Sequence, residues 1–205
     1  MDPYASLPGW HLIGRFPDHE PGDVGSWLLH HNGDSVLLEV PPGLKLKHIR
    51  SGLASCGHPR LKYVTASHVH FDHLDRDVWR TLRQAFPVSI FKNPSRLARG
   101  DHCFNVAGEP LWLVHAPKHS SSDTVTIFRG IAMTGDIELG TLYSCNSEVS
   151  RKQKAASMDH LRGFQDRTGY QVHTVFSAHM NDFRPNADWR ALFSCEGELA
   201  GGVRA

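Results

Sequence analysis

The segment His68-Val69-His70-Phe71-Asp72-His73 constrains this chain more than any other, because it packs four metal-capable side chains into six positions. Three more ligand-type residues follow, each after an apolar run: His119, Asp136 within Thr134-Gly135-Asp136, and His179 within Phe176-Ser177-Ala178-His179. Imidazole nitrogen and carboxylate oxygen are donors that a borderline divalent ion such as Zn²⁺ accepts. Seven of them suit two ions better than one. Whatever the fold, it has to bring strand ends that are far apart in sequence to a single point.

On an extended segment, side chains at i and i+2 share a side, so His68 and His70 can chelate one ion while Phe71 points away into packing. The backbone must then turn for Asp72 and His73 to face a second ion. His119 completes a three-histidine set on the first ion, and His179 joins Asp72 and His73 on the second. Asp136, with two oxygens, can bridge both. Each ion keeps an open position, which separates a catalytic site from a structural one. The expected cofactor is two divalent metal ions, Zn first, with Fe or Mn also compatible. Water between two such ions loses a proton near neutral pH, giving a metal-bridging hydroxide as nucleophile, with Asp72 placed to orient it and shuttle a proton.

The remaining pattern supplies strands to carry these residues. Ser26–His30 and Ser35–Val40 flank Asn32-Gly33-Asp34 and read as a hairpin. Leu61–Ser67 reads as a buried strand delivering the histidine cluster. Further strands are expected at Val88–Phe91, Cys103–Val106, Leu111–Ala116, Thr124–Phe128, Ile131–Thr134 and Thr174–Ser177. Leu46, Ile49 and Leu53 repeat at helical spacing, and Val78, Trp79, Leu82 and Phe86 form a second apolar stripe, capped by Asp75 or Asp77 and stopped by Pro87. Ser150 to Arg167 reads as one helix, closed by Gly169, and Asp188–Cys195 as a short last one. Interspersed helices and ligands at strand ends predict an α/β protein of two packed sheets with helices outside.

A chain of 205 residues is expected to be a single domain spanning 1–205. Its net charge of +1 offers no field for nucleic acid, no apolar stretch approaches the length that spans a bilayer, and its start lacks a basic and then apolar leader. The four cysteines, 56, 103, 145 and 195, are widely spaced and read as free thiols of a cytoplasmic protein. Of fifteen histidines, five fall in the ligand set.

Taken together, H-x-H-x-D-H, a later His, a Gly-Asp after a strand and a final His resemble the metallo-β-lactamase-fold metallohydrolase superfamily, from about Ser26 to His179. The resemblance implies an αββα four-layer sandwich of two mixed β-sheets flanked by helices, with metals at one edge. It implies His68, His70 and His119 at one site, Asp72, His73 and His179 at the other, and Asp136 between them. The β-lactamases of the superfamily resemble a pattern without that aspartate and with a Cys ligand, to which Cys145 does not correspond. The short glyoxalase II-like and lactonase-like group is the better match, although only 26 residues follow His179 where glyoxalase II carries a helical domain. Around His119 the sequence reads Ala116-Pro117-Lys118-His119-Ser120-Ser121-Ser122-Asp123, without that group's Gly-His-Thr.

The function expected is therefore metal-dependent hydrolysis of a small ester, thioester or lactone by a metal-bridging hydroxide. One alternative is a mononuclear iron persulfide dioxygenase, ligated through His68, His119 and Asp136. A phosphodiesterase or small nuclease is the other. Catalytic candidates are Asp72 and Tyr143, the latter as donor to a substrate oxygen from the Glu138–Arg151 segment. Glu39 reads equally well as a surface carboxylate or as a partner to a ligand histidine. Arg15, Arg151, Lys152 and Lys154 read as solvated charges or as attractors of an anionic substrate. The expected partner is a small molecule, with no nucleic acid and no membrane, and a homodimer is compatible with the resemblance.

Overall fold

Asn32 and Gly33 both adopt positive φ, 41° and 87°, which is the geometry a two-residue hairpin turn demands. In the computed structural model, which describes residues 2–17, 23–145 and 148–195, that turn joins β2 (Val24–His31) to β3 (Asp34–Leu38) with His31 opposite Asp34. β3 ends before Val40, the expected limit, because Glu39 leaves the extended region at φ 67°. The first sheet is completed by β1 (Trp10–Phe16), β4 (Arg60–Thr65) and β5 (Ile90–Lys92), in the order β1-β2-β3-β4-β5.

The second sheet is built from β6 (Gly100–Val106), β7 (Glu109–His115), β8 (Thr124–Phe128), β9 (Ile131–Met133), β10 (Thr174–Phe176) and β11 (Phe183–Pro185), in the order β11-β10-β9-β8-β7-β6. Alternation along the strands separates three cores. Trp27, Leu29, Val36 and Leu38 meet Leu111, Leu113, Phe128 and Phe176 between the sheets. Leu28, Leu37 and Val64 turn outward against α1 (Leu46–Ser55) and α2 (Arg76–Ala85), through Ile49 and Leu82. Val114, Ile127 and Val175 turn outward against α3 (Arg151–Arg162), α4 (Phe164–Thr168) and α5 (Trp189–Leu192), through Met158, Leu161, Phe164 and Trp189. Two mixed sheets flanked by helices make the four-layer αββα sandwich. Each fully buried large apolar side chain contributes about 1.5–3 kcal/mol.

Local chemistry sets the helix ends. Asp75, not Asp77, caps α2, its carboxylate accepting from the amides of Asp77 and Val78. Ser150 and Gln153 form a reciprocal capping box at the start of α3. The single helix expected over 150–167 divides at Gly163, which ends α3 and begins α4.

Topology decides where the ligands arrive. β3 and β4 are parallel, so Glu39 and the 68–73 segment leave the first sheet at one edge. β8 is antiparallel to both β7 and β9, and β9 is parallel to β10, so β7, β9 and β10 also run one way and deliver residues 119, 136 and 179 to a shared edge. The two edges are stitched together by backbone bonds, Thr124 N to Ser67 O at 2.8 Å and Gly25 N to Ala178 O at 3.1 Å. Among the described residues no helix is long and apolar enough to cross a membrane.

α1 lies against β1 and β2 at Gly52, where a Cβ would run into Ile13 Cγ2 and sit 2.9 Å from Leu28 Cδ1. Gly52→Ala is expected to cost about 1–3 kcal/mol through overpacking, read as a lower urea midpoint at unchanged m-value.

Candidate metal centre

The five predicted histidines and two aspartates converge at this edge. Asp136 Oδ2 stands 3.3 Å from His73 Nε2, 3.4 Å from His179 Nε2, and 3.7 Å from Nε2 of both His68 and His119. Asp72 Oδ2 is 2.9 Å from His73 Nε2 and 3.7 Å from His179 Nε2. His70 presents Nδ1 to His119 Nε2 at 3.2 Å. Three donor groups result among the described residues: His68, His70 and His119; Asp72, His73, Asp136 and His179; and His119 again with Glu138 and Cys145, each with its donor atoms within 4.8 Å of one another.

His68 and Asp136 are in the state that cation ligation requires. His68 Nε2, His73 Nε2 and Asp136 Oδ1 are buried and make no hydrogen bond, whereas buried polar atoms are almost always paired. The carboxylate oxygens near the two nitrogens stand at ion-pair distance without hydrogen-bonding geometry, so the orphaned atoms fit a cation held between them. Burial drives the His68 imidazole well below its ordinary pKa, and His73 beside it pushes the same way, so His68 is a neutral donor. Burial alone would raise Asp136, but His179 and His73 outweigh it and hold the carboxyl far below the usual range. Burial likewise opposes charge on His73, and Glu39, Asp136 and Asp72 overcome it, raising that imidazole well above its usual value.

A second layer fixes the rings. Glu39 is fully buried, which settles the alternative of a surface carboxylate: Oε2 lies 3.1 Å from His73 Nδ1 and Oε1 accepts from the Ser67 amide at 2.8 Å. With Nδ1–H committed to Glu39, His73 turns Nε2 toward Asp136. Ser67 Oγ adds contacts to His68 Nδ1 at 3.0 Å and His73 Nδ1 at 3.4 Å. Gly135 makes room for Ser67. It has φ 63°, and a Cβ there would lie 2.8 Å from Ser67 Cβ.

The turn bearing His119 is organised by Asp123, a residue the sequence reading gave no role. Its Oδ2 accepts from the amides of Lys118 at 2.8 Å and Ser120 at 2.9 Å and from that of His119, while Oδ1 takes the Ser120 hydroxyl at 2.6 Å. A carboxylate four residues after a histidine, following a run of serines, was the available signal, since Asp side chains readily fold a turn around themselves. Ser122 Oγ accepts from the Val69 amide at 3.1 Å and so ties this turn to the first ligand cluster. Lys118 is fully buried, and its ammonium reaches Glu138 Oε2 at 2.8 Å and the Tyr143 carbonyl at 2.5 Å. Cys145, which the sequence comparison set aside, brings Sγ to 3.6 Å from His119 Nδ1.

Other expectations change or stay outside. Phe71 does not pack inward. It is 69 % exposed, because the chain turns within 70–74, with Leu74 N bonded to His70 O, and throws that side chain to the rim. Tyr143 is also exposed, on the loop that Lys118 holds. His115 Nε2 is 3.3 Å from Ser121 O and braces the His119 turn, whereas His173 sits at the opposite end of β10 beside Gly130. Arg15 pairs with Asp2. From the loop 16–25, Asp18, His19, Glu20, Pro21 and Gly22 lie outside the described residues, as do Asn146 and Ser147 of the 138–151 segment and the tail 201–205.

Layer order, strand directions and the position of the ligand edge together define the metallo-β-lactamase fold. Similar solved structures include a metallo-β-lactamase family protein of Thermus thermophilus, 20 % identical with a TM-score of 0.60, the match covering 95 % of this chain and 79 % of that one. A metallo-β-lactamase from Pontibacter korlensis is 13 % identical with a TM-score of 0.63, covering 93 % of each chain. ETHE1 from Myxococcus xanthus is 17 % identical with a TM-score of 0.56, covering 84 % of this chain and 77 % of that one. The likeness at these identities is one of fold. No family model matches the chain, and no curated protein matches it.

Glu39→Gln preserves shape but removes the charge facing His73 Nδ1. Metal titration is expected to show affinity lower by about 10–100-fold for the ion that His73 serves, with the far-UV spectrum unchanged.

Proposed function

We propose that this chain is a metal-dependent hydrolase acting on a small ester, thioester or lactone. His68, His70 and His119 would hold one divalent ion, Asp72, His73 and His179 a second, and Asp136 would span them, zinc being the first choice. One observation carries the reading: a single carboxylate oxygen at 3.3–3.7 Å from four imidazole nitrogens, two of which are buried without hydrogen bonds. When bound, divalent ions supply Lewis acidity and make water acidic near neutral pH.

The chain's own groups do the rest. Glu39 and Ser67 lock the rings of His73 and His68, so that donor geometry is set before a substrate arrives. Asp72 is anchored by His73 through Oδ2 and keeps a side chain 20 % exposed, so it can hold a proton at the open face and return it to the leaving group. Tyr143, exposed on the rim, offers a phenolic O–H to a substrate oxygen. The near-neutral charge supports a small molecule over nucleic acid as partner, and a cytoplasmic location and a homodimer belong to the same reading.

Protein purified without added metal should carry close to two equivalents of a divalent ion and turn over at least one member of a panel of ester, thioester, lactone, β-lactam and phosphodiester substrates. Asp136→Ala should lose both ions and cost more activity than the about 10–100-fold typical of outer-layer partners; substantial retained hydrolysis would refute the bridging role. One iron per chain with oxygen uptake on a persulfide would overturn hydrolysis altogether. Preference for the phosphodiester or the β-lactam would reassign the bond class.

A further inference from the structure

We infer that Cys145 is a positioning residue for the ion of the three-histidine set: its sulfur accepts the Nδ1–H of His119 and so aims Nε2 of that ring at the centre. The inference rests on the two-ion part of the proposed function and is independent of which bond is cleaved.

His119 is engaged from two sides. Its Nε2 stands 3.2 Å from His70 Nδ1 and 3.7 Å from Asp136 Oδ2, whereas its Nδ1 stands 3.6 Å from Cys145 Sγ. A neutral imidazole carries one ring proton, so a ring that gives its Nε2 lone pair to a cation keeps that proton on Nδ1. The side chain is buried, and a buried N–H calls for an acceptor. Sulfur is a weak acceptor, and its larger radius sets the contact farther out than an oxygen would. The neighbouring rings divide their nitrogens in the same way. Glu39 meets Nδ1 of His73 and Ser67 Oγ meets Nδ1 of His68, while Nε2 of each ring faces Asp136. Cys145 takes for His119 the part that those two residues take for their histidines.

The sulfur is held there by the bonds of its own loop. Glu138 Oε1 accepts from the Cys145 amide at 3.2 Å, and Oε2 takes the buried Lys118 ammonium at 2.8 Å. Lys118 precedes His119 in the chain and also donates to the Tyr143 carbonyl at 2.5 Å, two residues before the thiol. Ring and sulfur are thus fixed from one frame. Glu138 itself lies within 4.8 Å of a His119 ring nitrogen, but both its oxygens already serve Lys118 and the Cys145 amide, so Sγ is the group that meets Nδ1. The same ammonium repels a further cation between His119, Glu138 and Cys145. That third donor group therefore acts as support for the first ion and not as a site of its own.

The test reads metal binding and proton position, without turnover. Zn²⁺ is titrated into metal-free protein against a chromophoric chelator, and the dissociation constant that His70→Ala weakens more belongs to the three-histidine set. Cys145→Ala should weaken that constant by about 10–100-fold, the effect typical of outer partners of ligating histidines, and the other by less than about twofold. Cys145→Ser, which keeps an acceptor, should recover part of the loss. In the unaltered chain, ¹⁵N-histidine spectra with Zn²⁺ bound should show His119 as the Nδ1–H tautomer, and Cys145→Ala should make that proton exchange with solvent faster. The Nε2–H tautomer in the loaded wild-type protein overturns the inference even if neither variant folds. Equal weakening of both constants, with serine no better than alanine, marks a merely structural role and overturns it too. Two bound ions with both constants unchanged within about twofold in Cys145→Ala sink the sulfur's role alone. Fewer than two equivalents of Zn²⁺ in the wild-type protein sink the two-ion reading with it.

Discussion

Four imidazole nitrogens converge on one oxygen of Asp136, and that convergence persists only because the strand ends carrying them are fastened to one another. A cluster of buried histidines and carboxylates has no hydrophobic reason to assemble, since each group loses water on entering. The fastening is done by backbone: Thr124 N to Ser67 O joins the two sheets, Ala178 N to Gly135 O joins the turns bearing His179 and Asp136, and Val40 N to His73 O joins the first cluster to β3. The inter-sheet core of Trp27, Leu38, Phe128 and Phe176 sits beneath these bonds and supplies the favourable free energy. The site is thus arranged by packing elsewhere, and its own electrostatics select the ionised form of Asp136 and the neutral form of His68.

Glu39 shows how local strain is converted into orientation. Its φ of 67° is unfavourable for a residue with a Cβ, by something on the order of 1–3 kcal/mol. The conformation turns the side chain from the end of β3 into the protein, where the Ser67 amide binds one oxygen and His73 meets the other. Ser26 Oγ and the Glu39 amide stabilise the kink from both sides, the first donating to Glu39 O and the second to Thr65 O. An ordinary strand residue would have pointed the carboxylate along the sheet face instead.

Period and spacing made much of this legible. The hairpin at Asn32-Gly33, the strand before His68 and the ligand positions after β7, β9 and β10 follow from short-range signals, namely turn residues, β-branched runs and donors at run ends. β1 escaped because its register shifts between Leu12 and Gly14: Trp10 and Leu12 face the inter-sheet core while Ile13 and Phe16 face the helices, so no simple alternation exists. β11 is three residues long and is defined by pairing with β10 rather than by composition. Phe71 misled because i, i+2 logic assumes that the strand continues, and β4 stops at Thr65. Glu39 and Asp123 were undecidable or unassigned for one common reason: their partners are backbone amides and ring nitrogens whose approach is set by tertiary folding.

The turn carrying His119 shows that a departure in sequence can preserve a geometry by other means. Where the resembled group has glycine before this histidine, the chain has Lys118, whose stem and ammonium are fully buried. Burial depresses its pKa, and Glu138 partly restores it, which is the balance expected of a desolvated ammonium kept charged by one close carboxylate. That ion pair stands beside the candidate centre, since Glu138 offers a carboxylate oxygen within 4.8 Å of a His119 ring nitrogen. It binds the 138–145 loop to the His119 turn at two points, Glu138 Oε2 and the Tyr143 carbonyl, while Glu138 Oε1 accepts from the Cys145 amide. Asp123 meanwhile takes over the amides that the lysine's backbone leaves exposed. One buried charge thus links the turn bearing His119 to the 138–145 loop. A change at Lys118 would therefore be felt both in the His119 turn and along the 138–145 loop.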